Sequence, residues 1–153
     1  MWFSRKPAVR VPPQDAAGAA AAVPGQITTK SRGDAAEAAA RAFLVGAGLR
    51  WIESNYRTPG RGGGEIDLVM RAPDGTLVFV EVRYRSAATH GGAGASIGAA
   101  KQRRIVLAAA HYLMRFASPP PCRFDVVLVQ GSRIGGKPLE PVLEWLPAAF
   151  DAS

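Results

Sequence analysis

From Gly64 to Arg85 the chain alternates apolar and polar residues on both sides of a Pro73-Asp74-Gly75 turn, and few pairings can satisfy that pattern. Ile66, Leu68 and Met70 occupy every second position before the turn, and Val78, Val80, Val82 and Tyr84 do so after it. A period of two marks strands with one face in a core. Proline presets the turn dihedral, aspartate bonds to the backbone beyond it, and glycine accepts a positive φ. With Pro73-Asp74-Gly75 as the loop, Ala72 faces Thr76, Met70 faces Val78, Leu68 faces Val80 and Ile66 faces Val82. A slip of one residue would mix the two faces, so burial fixes the register.

The other face follows from the same register. Val69 opposes Phe79, Asp67 opposes Glu81 and Glu65 opposes Arg83. Opposed residues have Cβ atoms roughly 4.5–5.5 Å apart, and opposed like charges destabilise a sheet. The Asp67–Glu81 pair therefore needs compensation. One carboxyl could stay protonated, Arg83 could bridge both, or a divalent cation could sit between them.

The remaining chain reads as helices and strands around this hairpin. Asp34-Ala35-Ala36-Glu37 has capping-box spacing, which predicts a helix starting near Asp34 and ending at Gly46 and Gly48. Leu49 to Tyr56 reads as a strand, and Arg57 to Gly63 as a flexible loop. After a Gly/Ala-rich loop over Ser86 to Ser96, Ile97 to Phe116 carries apolar residues at helical spacing and stops at Pro119-Pro120-Pro121. Arg123 to Gln130 is a short, nearly apolar strand, with a further short strand or helix within Val142 to Phe150. The order helix, three strands, helix, strand predicts one α/β domain over residues 27–153, a mixed sheet flanked by helices.

Charge is unevenly placed. The net charge is +7, with five basic residues against one acid in residues 1–32, and 14 against 11 in the rest. A basic balance suggests a polyanion partner, more strongly for the N-terminal segment than for the predicted domain. That segment imitates a signal peptide poorly, because Pro7, Pro12, Pro13 and Asp15 interrupt any apolar centre. Residues 1–26 are expected to be a disordered Pro/Ala-rich basic tail, and no membrane span is expected. Cys122 is the single cysteine, which forbids an internal disulfide and fits the reducing cytoplasm. With one Cys and two His, a zinc site of the usual ligands is nearly excluded, so any metal would be a hard cation held by carboxylates.

The segments Gly33-Asp34-Ala35-Ala36-Glu37, Gly64-Glu65-Ile66-Asp67-Leu68-Val69, Phe79-Val80-Glu81-Val82-Arg83-Tyr84-Arg85, Lys101 with Arg104-Ile105, and Arg123-Phe124-Asp125-Val126-Val127 resemble the bacterial YraN family, over about Ile27 to Phe150. That family is similar in turn to the PD-(D/E)xK nucleases, nearest to archaeal Holliday junction resolvases. The resemblance implies a restriction endonuclease-like core (αβββαβ) with Glu37, Asp67 and Glu81-Val82-Arg83 at the nuclease positions. Lysine is usual where Arg83 stands. Arginine cannot act as a base at neutral pH, but it can stabilise charge on a pentavalent phosphate. Lys101 could supply a compensating amine if its helix packs beside the hairpin.

The expected catalytic residues are therefore Asp67, Glu81, Arg83 and Glu37, with Asp67, Glu81 and Glu37 holding Mg²⁺ or Mn²⁺. Glu37 is equally explained by capping and a pair with Arg41, and Glu65 by pairing with Arg83 or Arg61. Residues 83–104 carry Arg85, Lys101, Arg103 and Arg104 beyond Arg83, with no acid, a candidate track for a phosphate backbone. Gly91-Gly92-Ala93-Gly94 could approach that backbone or merely connect, and His90 reads as a surface residue. Trp51, Phe79 and Phe124 read as core, Trp145 and Phe150 as cover for a sheet edge, and Cys122 as inert. The expected function is a metal-dependent nuclease acting on branched or flapped DNA rather than RNA, as a homodimer by analogy with resolvases. Two other classes stay open: a nucleic-acid-binding module of the same fold without efficient cleavage, which Arg83 favours, and a protein-binding adaptor.

Overall fold

The computed structural model describes residues 9–10, 29–85 and 97–152. The tail expected over residues 1–26 lies outside them except at Val9 and Arg10, as do His90 and Gly91 to Gly94. The elements are β1 (Val9–Arg10), α1 (Thr29–Gly46), β2 (Arg50–Arg57), β3 (Glu65–Arg71), β4 (Leu77–Arg85), α2 (Ala99–Leu113), β5 (Cys122–Ile134) and β6 (Lys137–Phe150). The sheet runs β1-β6-β5-β4-β3-β2. Among the described strands only β4 and β5 pair in parallel, because α2 carries the chain over between them. The fold is thus a mixed α/β sheet flanked by two helices, consistent with a restriction endonuclease-like core.

The two faces of the sheet bury different helices. Ala36, Ala40, Phe43 and Leu44 of α1 pack with Leu68, Met70, Val78, Val80, Val127 and Val129. Ile105, Ala108, Ala109 and Tyr112 of α2 pack with Val69, Leu77, Phe79, Phe124, Val126 and Leu128. Alternation along β4 and β5 feeds both clusters, as expected for strands covered on both sides. The hairpin register is the expected one where the ladder runs: Met70 pairs with Val78, Val69 with Phe79 and Leu68 with Val80. Beyond Leu68 the regular ladder gives out. Ile66 enters the α2 side rather than joining Leu68, while Val82 packs on the α1 side.

Several local expectations are corrected. α1 begins at Thr29, and Asp34 lies inside it, bonded to Lys30 at 2.9 Å, so Asp34 and Glu37 form no capping box. The helix does end as expected. Gly48 has φ +106°, its N–H bonds to Val45, and Leu49 N–H reaches back to Leu44, with Leu44 and Leu49 both buried. Trp51 is 37% exposed, under the guanidinium of Arg41 at 3.6 Å, and is not a core residue. The last strands are far longer than expected. Gly135 and Gly136, with φ of 57° and 79°, turn β5 tightly into β6, pairing Ile134 with Lys137. Asp125, fully buried, pins this pair where the register shifts, accepting bonds from Trp145 Nε1 and Ala148 N at 2.9 Å and from Arg123 Nε at 3.0 Å. Trp145 packs edge-on to Phe43, and Phe150 stacks on Phe124.

Candidate functional site

Where the β3–β4 ladder stops, Asp67 and Glu81 take over. Asp67 Oδ2 accepts the Val82 N–H at 2.8 Å, a side chain replacing a ladder bond. Asp67 keeps 8% of its surface and Glu81 7%, so two carboxyls are nearly dry and adjacent. Burial raises the Asp67 carboxyl, partly offset by the Val82 N–H, by a hydrogen bond with Glu81 and by the Lys101 charge. Burial, then the charge of Asp67, pushes Glu81 up to about 8, against the pull of Lys101. Like charges in a dry site cannot both ionise cheaply, so near neutral pH the pair holds a proton between them. Glu81 Oε1 is buried with no hydrogen-bond partner.

Both helices reach this point. Glu37, half-buried on α1, is raised to about 7 by burial and then by the Asp67 charge, with an Asn55 hydrogen bond acting the other way. Asn55 sits in β2 with a φ of 55°, a left-handed conformation that asparagine tolerates better than most residues. From α2, Lys101 Nζ stands 3.6 Å from Glu81 Oε2, so the helix does pack beside the hairpin. Arg83 and Arg85 are partly buried, and the regular β4–β5 pairing puts both on the strand face of Glu81. Arg103 and Arg104 are exposed. Glu65 pairs with Arg57 at 2.5 Å.

The loop before β3 is more ordered than its composition suggests. Thr58 Oγ1 accepts the Gly64 N–H at 2.8 Å, and Thr58 N–H donates to Gly64 O at 3.1 Å. Gly64 lies against α2 so closely that a Cβ would fall 1.8 Å from the Arg104 carbonyl oxygen. Arg57, Thr58, Gly60, Gly62 to Gly64, Glu65 and Arg104 line an open, polar cleft of about 370 Å³.

The structure therefore brings Asp67, Glu81, Glu37 and Lys101 together, with Arg83 and Arg85 along the same strand face. Among the described residues no group of three His, Cys, Asp or Glu side chains is arranged to hold a metal ion. Asn55 is the residue that sequence reasoning passed over. An asparagine inside a strand-forming run was its signal, because asparagine is depleted in strands and favours left-handed positions. No described helix is long and apolar enough to cross a membrane.

A family model described as "Uncharacterised protein family UPF0102" matches residues 36–129. That span contains Glu37, Asp67, Glu81 and Lys101. The chain is similar to a UPF0102 protein of Polaromonas naphthalenivorans (strain CJ2), 78% identical over 153 residues and covering 100% of both chains. It is 71% identical to one of Polaromonas sp. (strain JS666), again over 100% of both. A third, from Acidovorax sp. (strain JS42), is 61% identical over 126 residues, 82% of this chain and 89% of that one.

Proposed function

The chain belongs to the uncharacterised protein family UPF0102, the YraN family, and we propose that it is a divalent-metal-dependent nuclease hydrolysing phosphodiester bonds in DNA. The observation that carries this reading is the dry Asp67–Glu81 pair with its orphaned oxygen, Glu81 Oε1. Lys101 offsets one carboxylate charge, and the other needs a proton or a cation. A hard divalent cation would supply the missing charge and engage the unpartnered oxygen, and an all-oxygen donor set suits Mg²⁺ or Mn²⁺. Asp67 and Glu81 would hold it, with Glu37 as a third acid behind Asp67. Such a cation, when bound, lowers the pKa of a water and polarises the scissile phosphate.

The chain's own groups do the rest. The Val82 N–H fixes Asp67 in place. Arg83 offers a planar guanidinium, which balances charge on the phosphate rather than serving as a base. Arg85, Lys101, Arg103 and Arg104 seat the backbone through salt-sensitive contacts. The same reading takes branched or flapped DNA as substrate, a homodimer as the acting unit and the cytoplasm as the compartment.

A second reading, a nucleic-acid-binding module without efficient cleavage, is favoured by the guanidinium of Arg83 where an amine is usual. Purified protein with Mg²⁺ or Mn²⁺ is offered linear, flapped and four-way-junction DNA beside Asp67→Ala. Cleavage that the substitution abolishes supports the nuclease. Salt-sensitive binding without cutting supports the module, and no binding at low salt rejects both.

A further inference from the structure

The third residue of α2 brings a long cation to the carboxylate pair from outside the strands. The side chain of Lys101 is 41% exposed and that of Glu81 9%, with 3.6 Å between Nζ and Oε2. That distance exceeds the roughly 2.7–2.9 Å of a charge-assisted hydrogen bond, so charge holds the pair rather than a tight bond. The Lys101 charge also favours the ionised form of Asp67. α2 opens with Lys101, Arg103 and Arg104 and has no acid in its first turn, although the helix dipole disfavours cations at that end. An anion beside this end would offset that cost. Position 83, on the strand face of Glu81, carries a planar guanidinium rather than a compact ammonium.

We propose that Lys101 is the exchangeable cation of the site, paired with Glu81 until a divalent cation takes the carboxylates and then released to contact the substrate phosphate. The inference rests on the metal-site reading above. Before metal binds, the ammonium partly neutralises Glu81. Once a divalent charge sits on the carboxylates, Coulomb repulsion disfavours the ammonium there, and its half-exposed stem lets it turn outward. The role is one of charge and contact, without covalent chemistry at the lysine.

The first test needs no turnover. Mn²⁺ is titrated calorimetrically into wild type, Lys101→Met and Asp67→Asn, without nucleic acid. The expected result is several-fold tighter Mn²⁺ binding by Lys101→Met, which has lost the competing cation, and loss of binding in Asp67→Asn. Mn²⁺ affinity equal to or weaker than wild type in Lys101→Met, with Asp67→Asn still defective, overturns the role of Lys101 and leaves the metal site standing. Wild type that binds no Mn²⁺ overturns both. The second test follows DNA cleavage in Mn²⁺ and DNA affinity in Ca²⁺. Lys101→Met is expected to slow cleavage by about 10²-fold, the cost of removing one charge-stabilising donor, and to weaken DNA binding far less, by the one phosphate contact it loses. Arg83→Lys in that background is expected to recover much of the rate, a rescue that a purely structural ion pair would not show. Cleavage by Lys101→Met at the wild-type rate overturns the proposal.

Discussion

Asp67 and Glu81 each keep less than a tenth of their surface in water, and both carboxyls sit above their ordinary range for that reason first. A carboxyl whose folded pKa exceeds its unfolded value binds its proton more tightly in the folded state. The sign is therefore that stability is greatest below the ordinary value of 4.5 and falls as pH rises through about 8 for Glu81. Metal-free protein should lose melting temperature between about pH 5 and pH 8, and Glu81→Gln should flatten that loss. At pH 8 the substitution should raise stability by on the order of 2 kcal/mol, a few degrees in Tm for a chain of this size. Mg²⁺ or Mn²⁺ at pH 8 should raise Tm in wild type by mass action and leave Asp67→Asn unchanged. A pH-independent melting curve in wild type counts against the buried pair. At this scale the sequence was informative because strand alternation has a strict period, so opposing Asp67 to Glu81 needed only a turn and a face. It misplaced Ile66 and Trp51, since departure from a ladder and cover by an arginine from another element depend on neighbours that a local pattern does not contain.

Gly64, Gly48 and Asp125 each join elements rather than serve as residues alone. A methyl at Gly64 has no room before the Arg104 carbonyl, so Gly64→Ala must push β3 off α2. The expected cost is about 1–3 kcal/mol, read by chemical denaturation, with reduced cleavage because β3 carries Asp67. Asp125→Ala would leave the Trp145 indole and the Ala148 N–H unpaired. That should cost about 3 kcal/mol or more, whereas Asp125→Asn, which keeps an acceptor, should cost less. Wild-type stability in Asp125→Ala would show that the β5–β6 register is fixed elsewhere. The α1 terminus was legible because Gly46 and Gly48 follow a helix-forming run. Its start was not, since the cap-like Asp34–Glu37 spacing lay farther on than Thr29, where the helix begins. The long hairpin had a signal, Gly135-Gly136 between strand-like runs, obscured by Pro138 and Pro141, residues that usually demote a strand.

Outside the basic N-terminal segment, five basic residues and no acid fall within residues 83–104, at the end of β4 and the start of α2. DNA binding should weaken log-linearly with salt, and replacing Arg103 and Arg104 by glutamine should lower the slope by about one for each arginine that had neutralised a phosphate. An unchanged slope would remove those arginines from the interface. The sequence by itself determined the α/β class, the hairpin register and the neighbouring acids, because periodicity, turn chemistry and burial act over a few residues. Only the tertiary structure decided that Glu37 from α1 and Lys101 from α2 converge on those acids, and that Glu81 keeps an oxygen without a partner. The reason is physical. Side chains far apart in the chain meet only after both helices have packed on the sheet, and the carboxylates lose their water only then.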